Sequence, residues 1–503
     1  MKKLVLTVVL IALLLTSAAF AADGDTLRVH LYEDIQNLDP GFWPSDADVT
    51  VFMSVYEGLT RYVPGTFEYE PWLAEEISFS EDGKDITFKL HEGVQFHGEY
   101  GELTAEDVKF SFERMNDPEV NAVYGGDWSA LDNVEVTGKY TGIIHLKNPY
   151  AAIYDVLADT SGCIISKAAG EELGLSGLAM HPVGTGPYVF DRWEPNSKVV
   201  LVRNENYWNE KPEWGELDYI YIPEESSVEI ALETGEISFG RVSPSIIGRF
   251  EGNSKFDIYT IPTFDWNFMP INVQYPGLDD VNVRRAIREA IDYEGINFAV
   301  YEDAYNPLCN MCLESQLGYW QDAVCHQRDL DKAKAYMEAS GYDNLTIDLA
   351  IQNTEDEKTV GEIVQANLAD IGITVNLNIE DDAAFVDEGF APDAYLKRQL
   401  VYLNWINFRD PGMNMDYFTC SQIGQWNWSY WCNPEFDEIA EAAKFEMDTE
   451  KRAEMYIDLQ KIVEEEVPMI FFNNITASYV ADSSLNVVLT PGARMIPYLF
   501  TSK

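Results

Sequence analysis

Six cysteines and six histidines are the residues of this 503-residue chain with the widest choice of chemistry. Cys309, Cys312 and Cys325 lie close to His326, and such a group could be redox-active or could hold zinc. A structural zinc site needs four closely spaced ligands, whereas nearby cysteines in an exported loop usually form disulfides. We predict a Cys309–Cys325 disulfide, and Cys163 could then pair with Cys312 if the fold brings them together.

A second group, Cys420 and Cys432, closes a short loop that is rich in Trp, Asn and Gly. In an oxidising compartment, two cysteines this near to each other are expected to pair, so we predict a Cys420–Cys432 disulfide. Six cysteines permit many pairings, and the sequence leaves the partners of the other four open.

The chain has no arrangement that is typical of a catalytic site. Its histidines are scattered singly, and no Ser stands in a nucleophile-elbow context. Gly184 and Gly186 do not predict a phosphate-binding loop, because Pro187 and a strand follow where a third Gly and a helix are needed. We therefore expect neither an enzyme nor a cofactor. An exported hydrolase that uses paired carboxylates is the least favoured alternative.

Two stretches combine aromatic rings with polar or charged side chains, as a small-molecule site requires. They are Phe264–Phe268 and Trp405–Asp410. Aromatic faces bury a large area against a ligand, but the same rings could serve only as core packing. Arg409 and Asp410 could likewise contact a ligand or form a salt bridge with each other.

The composition indicates a folded protein with a highly acidic surface. Apolar residues make up 46% and aromatic residues 13% of the chain, while the net charge is −51 at pH 7. This field repels phosphate backbones and anionic lipid surfaces, so we expect no nucleic-acid partner. We interpret the acidity as a solvated surface suited to saline surroundings rather than as a charged active site.

The N terminus has the layout of a cleaved signal peptide at residues 1–21. Lys2 and Lys3 precede an apolar run, and an A-x-A cleavage sequence ends at Ala21. No other stretch is long and apolar enough to span a bilayer, and no Cys near the cleavage point could accept lipid. We expect a periplasmic protein that diffuses freely as a monomer.

Helix and strand signals alternate along the chain, which indicates an α/β protein with mixed sheets. The predicted elements include a strand at 27–31, a helix at 48–59, a helix from Ala105 to Met115, a helix-to-strand unit at 361–380, helices that begin at Pro434 and Thr449, and a strand at 469–472. The second helix starts with a capping box at Thr104 and Asp107, and the later ones start at Pro or Thr.

Short motifs follow one another in a recognisable order over nearly the whole mature chain. They are Ile35–Pro40 with Val55–Leu59, Gly93–His97 with Leu103–Ser111, Val183–Tyr188, Val283–Asp292, Lys332–Tyr342 and Asn433–Asp437. Each motif alone is weak evidence, but their order and spacing make coincidence improbable. In this combination the chain resembles the extracytoplasmic solute-binding proteins of ABC importers, in the dipeptide, oligopeptide and nickel-binding group known as family 5.

The resemblance implies a two-lobe, type II periplasmic binding protein fold with an extra subdomain and a hinge of two crossing segments. Mapped onto this chain, lobe I takes residues 22–47, 184–265 and 480–503. The extra subdomain takes residues 48–183, and lobe II takes residues 266–479. The implied function is capture of a peptide-like solute between the lobes and its delivery to an ABC permease in the inner membrane. An oligosaccharide, a metal or a metallophore is the alternative ligand.

The resemblance also implies which residues contact the solute. In peptide-binding relatives, the segment that begins at Trp405 presents an Asp, three residues later, to the α-ammonium group of the ligand. Phe408 occupies that position here. Asp410 could take over the role, Arg409 could face an anionic ligand, or the site could suit an uncharged sugar stacked on Trp. The candidate ligand-binding residues are Trp405, Phe408, Arg409, Asp410, Phe264, Trp266 and Tyr32.

Overall fold

The structure is a computed structural model that describes residues 25–43, 45–405 and 407–503. The predicted signal peptide at residues 1–21 lies outside the described residues. Among the residues that are described, no helix is both long enough and apolar enough to cross a membrane. Strands and helices alternate as expected, so the protein is a mixed α/β fold.

The described residues form twenty strands, of which β12 and β18 are much longer than the others. The strands are β1 (Thr26–Leu31), β2 (Thr60–Tyr62), β3 (Tyr69–Pro71), β4 (Ala74–Phe79), β5 (Asp85–Leu90), β6 (Leu131–Val136), β7 (Thr141–Leu146), β8 (Tyr188–Glu194), β9 (Lys198–Arg203), β10 (Glu216–Tyr221), β11 (Phe239–Val242), β12 (Phe256–Pro270), β13 (Asn306–Pro307), β14 (Thr346–Gln352), β15 (Thr374–Glu380), β16 (Leu400–Val401), β17 (Leu403–Trp405), β18 (Met469–Asp482), β19 (Leu485–Asn486) and β20 (Thr501–Ser502).

Fourteen α-helices lie within the same described part of the chain, together with short 3-10 helices such as Pro411–Tyr417. The α-helices are α1 (Asp46–Phe52), α2 (Ala105–Glu113), α3 (Ile153–Ala158), α4 (Lys167–Leu178), α5 (Glu225–Thr234), α6 (Pro244–Ile247), α7 (Val281–Ala290), α8 (Tyr293–Tyr301), α9 (Leu330–Ser340), α10 (Glu355–Ala369), α11 (Asp382–Gly389), α12 (Ala394–Lys397), α13 (Pro434–Phe445) and α14 (Thr449–Glu466).

The largest sheet has nine strands and contains both long strands side by side. Its order is β17-β12-β18-β11-β1-β10-β9-β8, and β13 also pairs with β18. Strand β1 is parallel to β10 and β11, whereas the other neighbours are antiparallel. Two smaller sheets flank it: a parallel sheet of order β15-β14-β16 and an antiparallel sheet of order β4-β5-β7-β6. Helix α10 connects β14 to β15, which is the helix-to-strand unit predicted from the sequence.

Two bodies of buried apolar side chains define two lobes. The first-lobe core runs without a break through β1, the four-stranded sheet and the C-terminal segment, with Val29, Phe88 and Phe500 among its members. The second-lobe core is built around α7, the parallel sheet and α14, and contains Leu349 and Tyr456. Each lobe therefore buries apolar surface in a core of its own.

Strands β12 and β18 pass from one lobe core into the other. In β12, Tyr259 packs against the first-lobe core, while Phe268 is fully buried in the second. In β18, Tyr479 belongs to the first-lobe core and Ile470 to the second. The two strands pair in antiparallel register over most of their length. The connection between the lobes is therefore a two-stranded ribbon.

This ribbon is interrupted where it leaves the first lobe. Pro262 pairs with Thr476 and Trp266 pairs with Asn474, so three residues of β12 stand opposite Ile475 alone. A β-bulge of this kind bends the strand and redirects its side chains, and bulges are common beside functional sites. The bulge residues of this chain, 263–265, lie between the two lobes.

The helix predicted at 48–59 ends earlier than expected. Helix α1 stops at Phe52, because the following backbone bonds to another segment instead. The Ser54 carbonyl accepts from the Tyr188 N–H at 3.0 Å, and the Val55 carbonyl accepts from the Gly186 N–H at 2.9 Å. The glycine motif at 183–188 is thus a backbone docking segment, which agrees with its rejection as a phosphate loop.

The close approach of this motif to Val55 predicts a cost for any side chain at Gly186. A Cβ at Gly186 would lie 2.6 Å from the Val55 carbonyl oxygen, whereas a Cβ at Gly248 would meet no atom within 4 Å. We expect Gly186→Ala to lower the free energy of unfolding by about 1–3 kcal/mol, as overpacking does elsewhere. Gly248→Ala, at a residue with φ −59°, is the matched control and should be neutral. Equal stability of the two variants in urea denaturation would contradict the packing.

Candidate functional site

A cavity of about 180 Å³ opens at the bulge, and we call it the cleft cavity. Its wall on the first-lobe side includes α1, the β2–β3 hairpin, β11 and residues 490–498. The second lobe contributes Asn407, Phe408 and Arg409, and the bulge contributes Phe264 and Asp265. Because the ribbon is the covalent link between the lobes, the cavity lies where any change in the angle between them would open or close it.

Aromatic rings form much of the cavity wall. Phe264 lies with its ring centroid 5.7 Å from that of Phe67 in the β2–β3 loop. Gly492 lies on the far side, where a Cβ would come within 2.7 Å of the Phe264 ring. Tyr479 donates its hydroxyl proton to the Ala493 carbonyl at 2.7 Å, which holds the 490–498 segment against β18. The cavity can therefore receive flat or apolar groups of a solute.

Three of the four arginines at the cavity are already paired with carboxylates. Arg494 lies 2.9 Å from Asp159 and 3.2 Å from Asp46. Arg61 lies 2.8 Å from Glu70. Their charges are thus largely compensated within the first lobe.

The third paired arginine, Arg409, connects the lobes. It donates to the Tyr69 hydroxyl at 2.6 Å and lies 3.5 Å from the Asp155 carboxylate. Its guanidinium also sits 4.8 Å from the centroid of the Phe67 ring. Cation–π contacts of this type add to the attraction of the ion pair. Arg409 therefore acts as a contact that favours the closed arrangement of the lobes.

Two charged groups at the cavity have no ion-pair partner among the described residues. Asp265 accepts a hydrogen bond from the Asn407 backbone N–H at 3.2 Å and has no cation within 4 Å. Burial raises the pKa of Asp265 to about 7. Arg241 lies 5.1 Å over the ring of Tyr32 and likewise forms no ion pair. The cavity thus presents one carboxylate and one guanidinium that could bind opposite charges of a solute.

The structure divides the predicted site residues into two groups. Tyr32, Phe264, Phe408 and Arg409 line the cleft cavity, whereas Trp405, Trp266 and Asp410 do not. Trp266 is fully buried and packs against Phe268 and Phe471 in the second-lobe core. Trp405 is half-buried, pairs with Trp266 across the strands and packs on Tyr417 and Trp428. Both rings make core-packing contacts, and a contact of either ring with a ligand stays a prediction.

The Asp410 carboxylate makes its hydrogen bonds inside the second lobe. It accepts from Arg452 at 2.5 Å, from the Gly412 N–H at 2.8 Å and from the Tyr456 hydroxyl at 3.3 Å. Its side chain is 6% exposed and caps the 3-10 helix Pro411–Tyr417. In the described part of the chain its ion pair is with Arg452 rather than Arg409, and it does not line the cleft cavity.

Sequence reasoning did not select Asp265 or Arg241, nor the cavity residues Asp46, Arg494 and Tyr479. Asp265 carried a detectable signal, since it is an acid placed directly between two aromatic residues, Phe264 and Trp266. Arg241 carried none, because an arginine in a short strand is usually a surface residue.

The cysteines occur as two disulfides and two thiols. The structure joins Cys309 to Cys325 and Cys420 to Cys432. Cys163 is buried in the first-lobe core and Cys312 in the second, so the fold does not bring them together. Among the described residues, no group of three or more His, Cys, Asp or Glu side chains is arranged to hold a metal ion.

His326, next to Cys325, is part of a salt-bridge network in the second lobe. Its Nδ1 lies 3.1 Å from Glu289 and its Nε2 lies 2.9 Å from Glu464. Burial lowers the pKa of His326, but the hydrogen bonds to the two carboxylates outweigh burial and the net pKa is raised. Lys332 also approaches Glu289, at 2.8 Å. The protonated His326 ring thus connects helix α7, through Glu289, to helix α14, through Glu464.

This network predicts a pH-dependent contribution to stability. A raised folded-state pKa means that the His326 contribution is complete below about pH 6.5, the unfolded-state value, and is lost as pH rises through the folded-state pKa. We expect His326→Gln to lower the Tm more at pH 5.5 than at pH 9. His145→Gln is the control, since His145 bridges two exposed carboxylates and its pair should contribute less. A His326→Gln effect that is equal at both pH values would contradict the bridging role.

The pairing of Asp410 predicts a structural role that is separate from binding. Asp410→Asn leaves the Arg452 guanidinium buried without a counter-ion, and loss of a buried pair typically costs about 3–5 kcal/mol. We expect a loss of this order in guanidinium denaturation. Asp257→Asn, which removes an exposed carboxylate beside Lys503, is the control and should cost less than about 1 kcal/mol. Wild-type stability of Asp410→Asn would contradict the stabilising role of the Asp410–Arg452 pair.

Several known proteins resemble this chain in sequence or in architecture. The dipeptide-binding protein of Escherichia coli (strain K12) is 26% identical over 452 residues, which cover 84% of each chain. The glutathione-binding protein GsiB of Pectobacterium atrosepticum is 26% identical over 472 residues, which cover 92% of this chain and 90% of the relative. The structure of HbpA2 from Haemophilus parasuis is 26% identical and superposes with a TM-score of 0.83, covering 95% of this chain and 100% of that chain.

The likeness to HbpA2 confirms the predicted two-lobe, type II periplasmic binding protein fold. The model of the family described as "Bacterial extracellular solute-binding proteins, family 5 Middle" matches residues 68–425, which is more than half of the chain. The matched residues include the bulge, the cleft-cavity residues Phe408 and Arg409, and both paired cysteines of the second lobe's 309–325 loop. This chain therefore belongs to the family 5 bacterial extracellular solute-binding proteins.

Proposed function

We propose that this protein captures a short peptide between its lobes and delivers it to the permease of an ABC importer in the inner membrane. The observation that carries the proposal is the cleft cavity, which combines aromatic walls with a carboxylate and a guanidinium that have no ion-pair partner. The relatives named for dipeptide binding and for glutathione binding support a solute of peptide size. The solute leaves the protein chemically unchanged.

Closure on the solute follows from contacts that already join the lobes. Arg409 reaches Tyr69 of the first lobe, and the Ala151 N–H donates to the Lys444 carbonyl at 3.0 Å. A solute that binds the closed form more tightly shifts the population toward it, and a shift from about 1:99 to about 99:1 requires about 5.5 kcal/mol. Aromatic burial and two charge pairs together supply free energy of this order.

An oligosaccharide and a metal complex are less favoured solutes. An uncharged sugar would leave the Arg241 guanidinium without a direct ion-pair partner in a closed cavity, which is costly. Capture of a metal or metallophore by the 309–326 cluster is not supported, because two of its cysteines are joined and His326 is held by two carboxylates.

Export to the periplasm is part of the proposal. The signal-peptide layout of residues 1–21 and the extracellular family support it. We also keep the lobe boundaries that the resemblance implied, with one change at the second crossing. Because Ala477 and Tyr479 pack in the first-lobe core, we place that crossing near 474–476 rather than at 480. The protein acts as a monomer.

The proposal predicts stabilisation and compaction by peptides. A mixed library of di- and tripeptides should raise the Tm, and saturation at about 100 times the Kd adds about 2.7 kcal/mol of stability. Small-angle scattering with the stabilising peptide should give a smaller radius of gyration than the protein alone. The matched samples contain maltose or single amino acids at the same concentration, which should have little effect.

Two results would contradict the proposed function. One is the absence of stabilisation by any peptide when an oligosaccharide or a metal complex does stabilise the protein. The other is recovery of the bound peptide as cleavage products in mass spectrometry, since that would identify an enzyme.

A further inference from the structure

Two charged residues at the cleft cavity, Asp265 and Arg241, lie in each other's electrostatic field but form no direct ion pair. Once Arg61, Arg409 and Arg494 are assigned to their carboxylates, Asp265 and Arg241 remain without partners among the described residues. The two residues lie on different strands, β12 and β11, and both line the same cavity. A charge that is partly removed from water destabilises the closed form unless an opposite charge arrives with the solute.

We propose that Asp265 binds the ammonium group and Arg241 the carboxylate of a zwitterionic peptide, so that both free termini are recognised. This inference rests on the proposed function and assigns the residues that determine specificity. A peptide with two free ends supplies an ammonium group for Asp265 and a carboxylate for Arg241. It would therefore neutralise both residues at once.

The geometry of the bulge prepares Asp265 for this role. The Thr263 hydroxyl accepts from the Asp265 N–H at 3.0 Å, and Asn474 donates to the Asp265 carbonyl at 3.0 Å, so the backbone is fixed from both sides. One carboxylate oxygen accepts from the Asn407 N–H of the second lobe at 3.2 Å. A carboxylate has further acceptor sites for an ammonium group. Binding of the ammonium group would thus occur at a residue that already contacts both lobes.

Arg241 is suited to a carboxylate for a separate reason. Its guanidinium rests over the Tyr32 ring at 5.1 Å and keeps its hydrogen-bonding edges for another acceptor. The planar guanidinium can then donate two parallel hydrogen bonds to a carboxylate. The backbone of Arg241 is held in β11, where its carbonyl oxygen lies 3.2 Å from His30 Nδ1.

The loop after Trp405 cannot provide the carboxylate in this chain. Phe408 presents an apolar ring to the cavity, and Asp410 is held by Arg452 inside the second lobe. The recognition of a peptide amine has therefore moved from this loop to the ribbon that joins the lobes. The move places the ammonium-binding residue at the pivot of closure.

Calorimetry with blocked peptides tests the assignment on the wild-type protein. The probes are alanyl-phenylalanine, phenylalanyl-alanine and alanyl-alanyl-phenylalanine, each as the free peptide, the N-acetyl peptide and the C-terminal amide. We expect each block to weaken binding by roughly 10- to 100-fold, since a hydrogen bond to a charged group is worth about 1.5–3 kcal/mol. Equal binding of free and blocked peptides would overturn the inference while leaving the proposed function intact, whereas no binding of any peptide would overturn both.

Variants then assign each terminus to its residue. Asp265→Asn should weaken binding of the free peptide but not of the N-acetyl peptide, and Arg241→Gln should weaken the free peptide but not the amide. The controls are Asp257→Asn on the same strand and Arg249→Gln at an exposed ion pair, which should bind as the wild type does. If Asp265→Asn weakens the free and N-acetyl peptides equally, the ammonium assignment is wrong. Unchanged Tm values of the unliganded variants exclude misfolding as the cause.

Discussion

The antiparallel pairing of β12 with β18 is the interaction on which the rest of the molecule depends. Each strand is anchored in both lobe cores, through Phe268 and Ile470 in the second lobe and Tyr259 and Tyr479 in the first. The ladder of backbone hydrogen bonds fixes the lobes to each other at one place. The ladder has two irregularities, and the larger one, the bulge at 263–265, is the place where a small change of backbone angle would move one lobe against the other. The β12–β18 ribbon therefore both connects the two lobes and contains the point at which the angle between them would change.

The site is built on this constraint. The bulge turns Phe264 and Asp265 out of the sheet and into the cleft, where residues of both lobes meet them. Most of the surrounding charges are neutralised by neighbours, and Arg409 uses its charge to join the lobes. The two charges that remain open are the ones that a solute with a free amine and a free carboxylate would neutralise. Charge compensation and lobe closure would then be a single event, because Asp265 already bonds to the Asn407 N–H across the cleft.

Much of the fold could be predicted from the sequence, and the reasons lie in local signals. The capping box at Thr104 and Asp107 begins α2 as predicted, and the 361–380 unit is a helix followed by a strand. The resemblance of ordered motifs led to the correct family and architecture. The helix at 48–59 was predicted too long, because the bonds from Gly186 and Tyr188 to residues 54 and 55 join segments that are far apart in sequence. For the same reason the partner of Asp410, which lies 42 residues away, could not be seen, and neither could the bulge that selects Asp265. Local sequence patterns predict the helices and strands. Which side chains reach the cavity depends instead on the register of strand pairing and on ion pairs between residues far apart in the sequence.

The most direct test of the account is a crystal structure of the full-length mature protein grown with a free dipeptide. The account predicts closed lobes, with the peptide in the cleft cavity, its ammonium nitrogen within hydrogen-bond distance of the Asp265 carboxylate and its carboxylate against the Arg241 guanidinium. A peptide found elsewhere, or a peptide in the cavity whose amine contacts Asp410 while Asp265 stays unliganded, would contradict it.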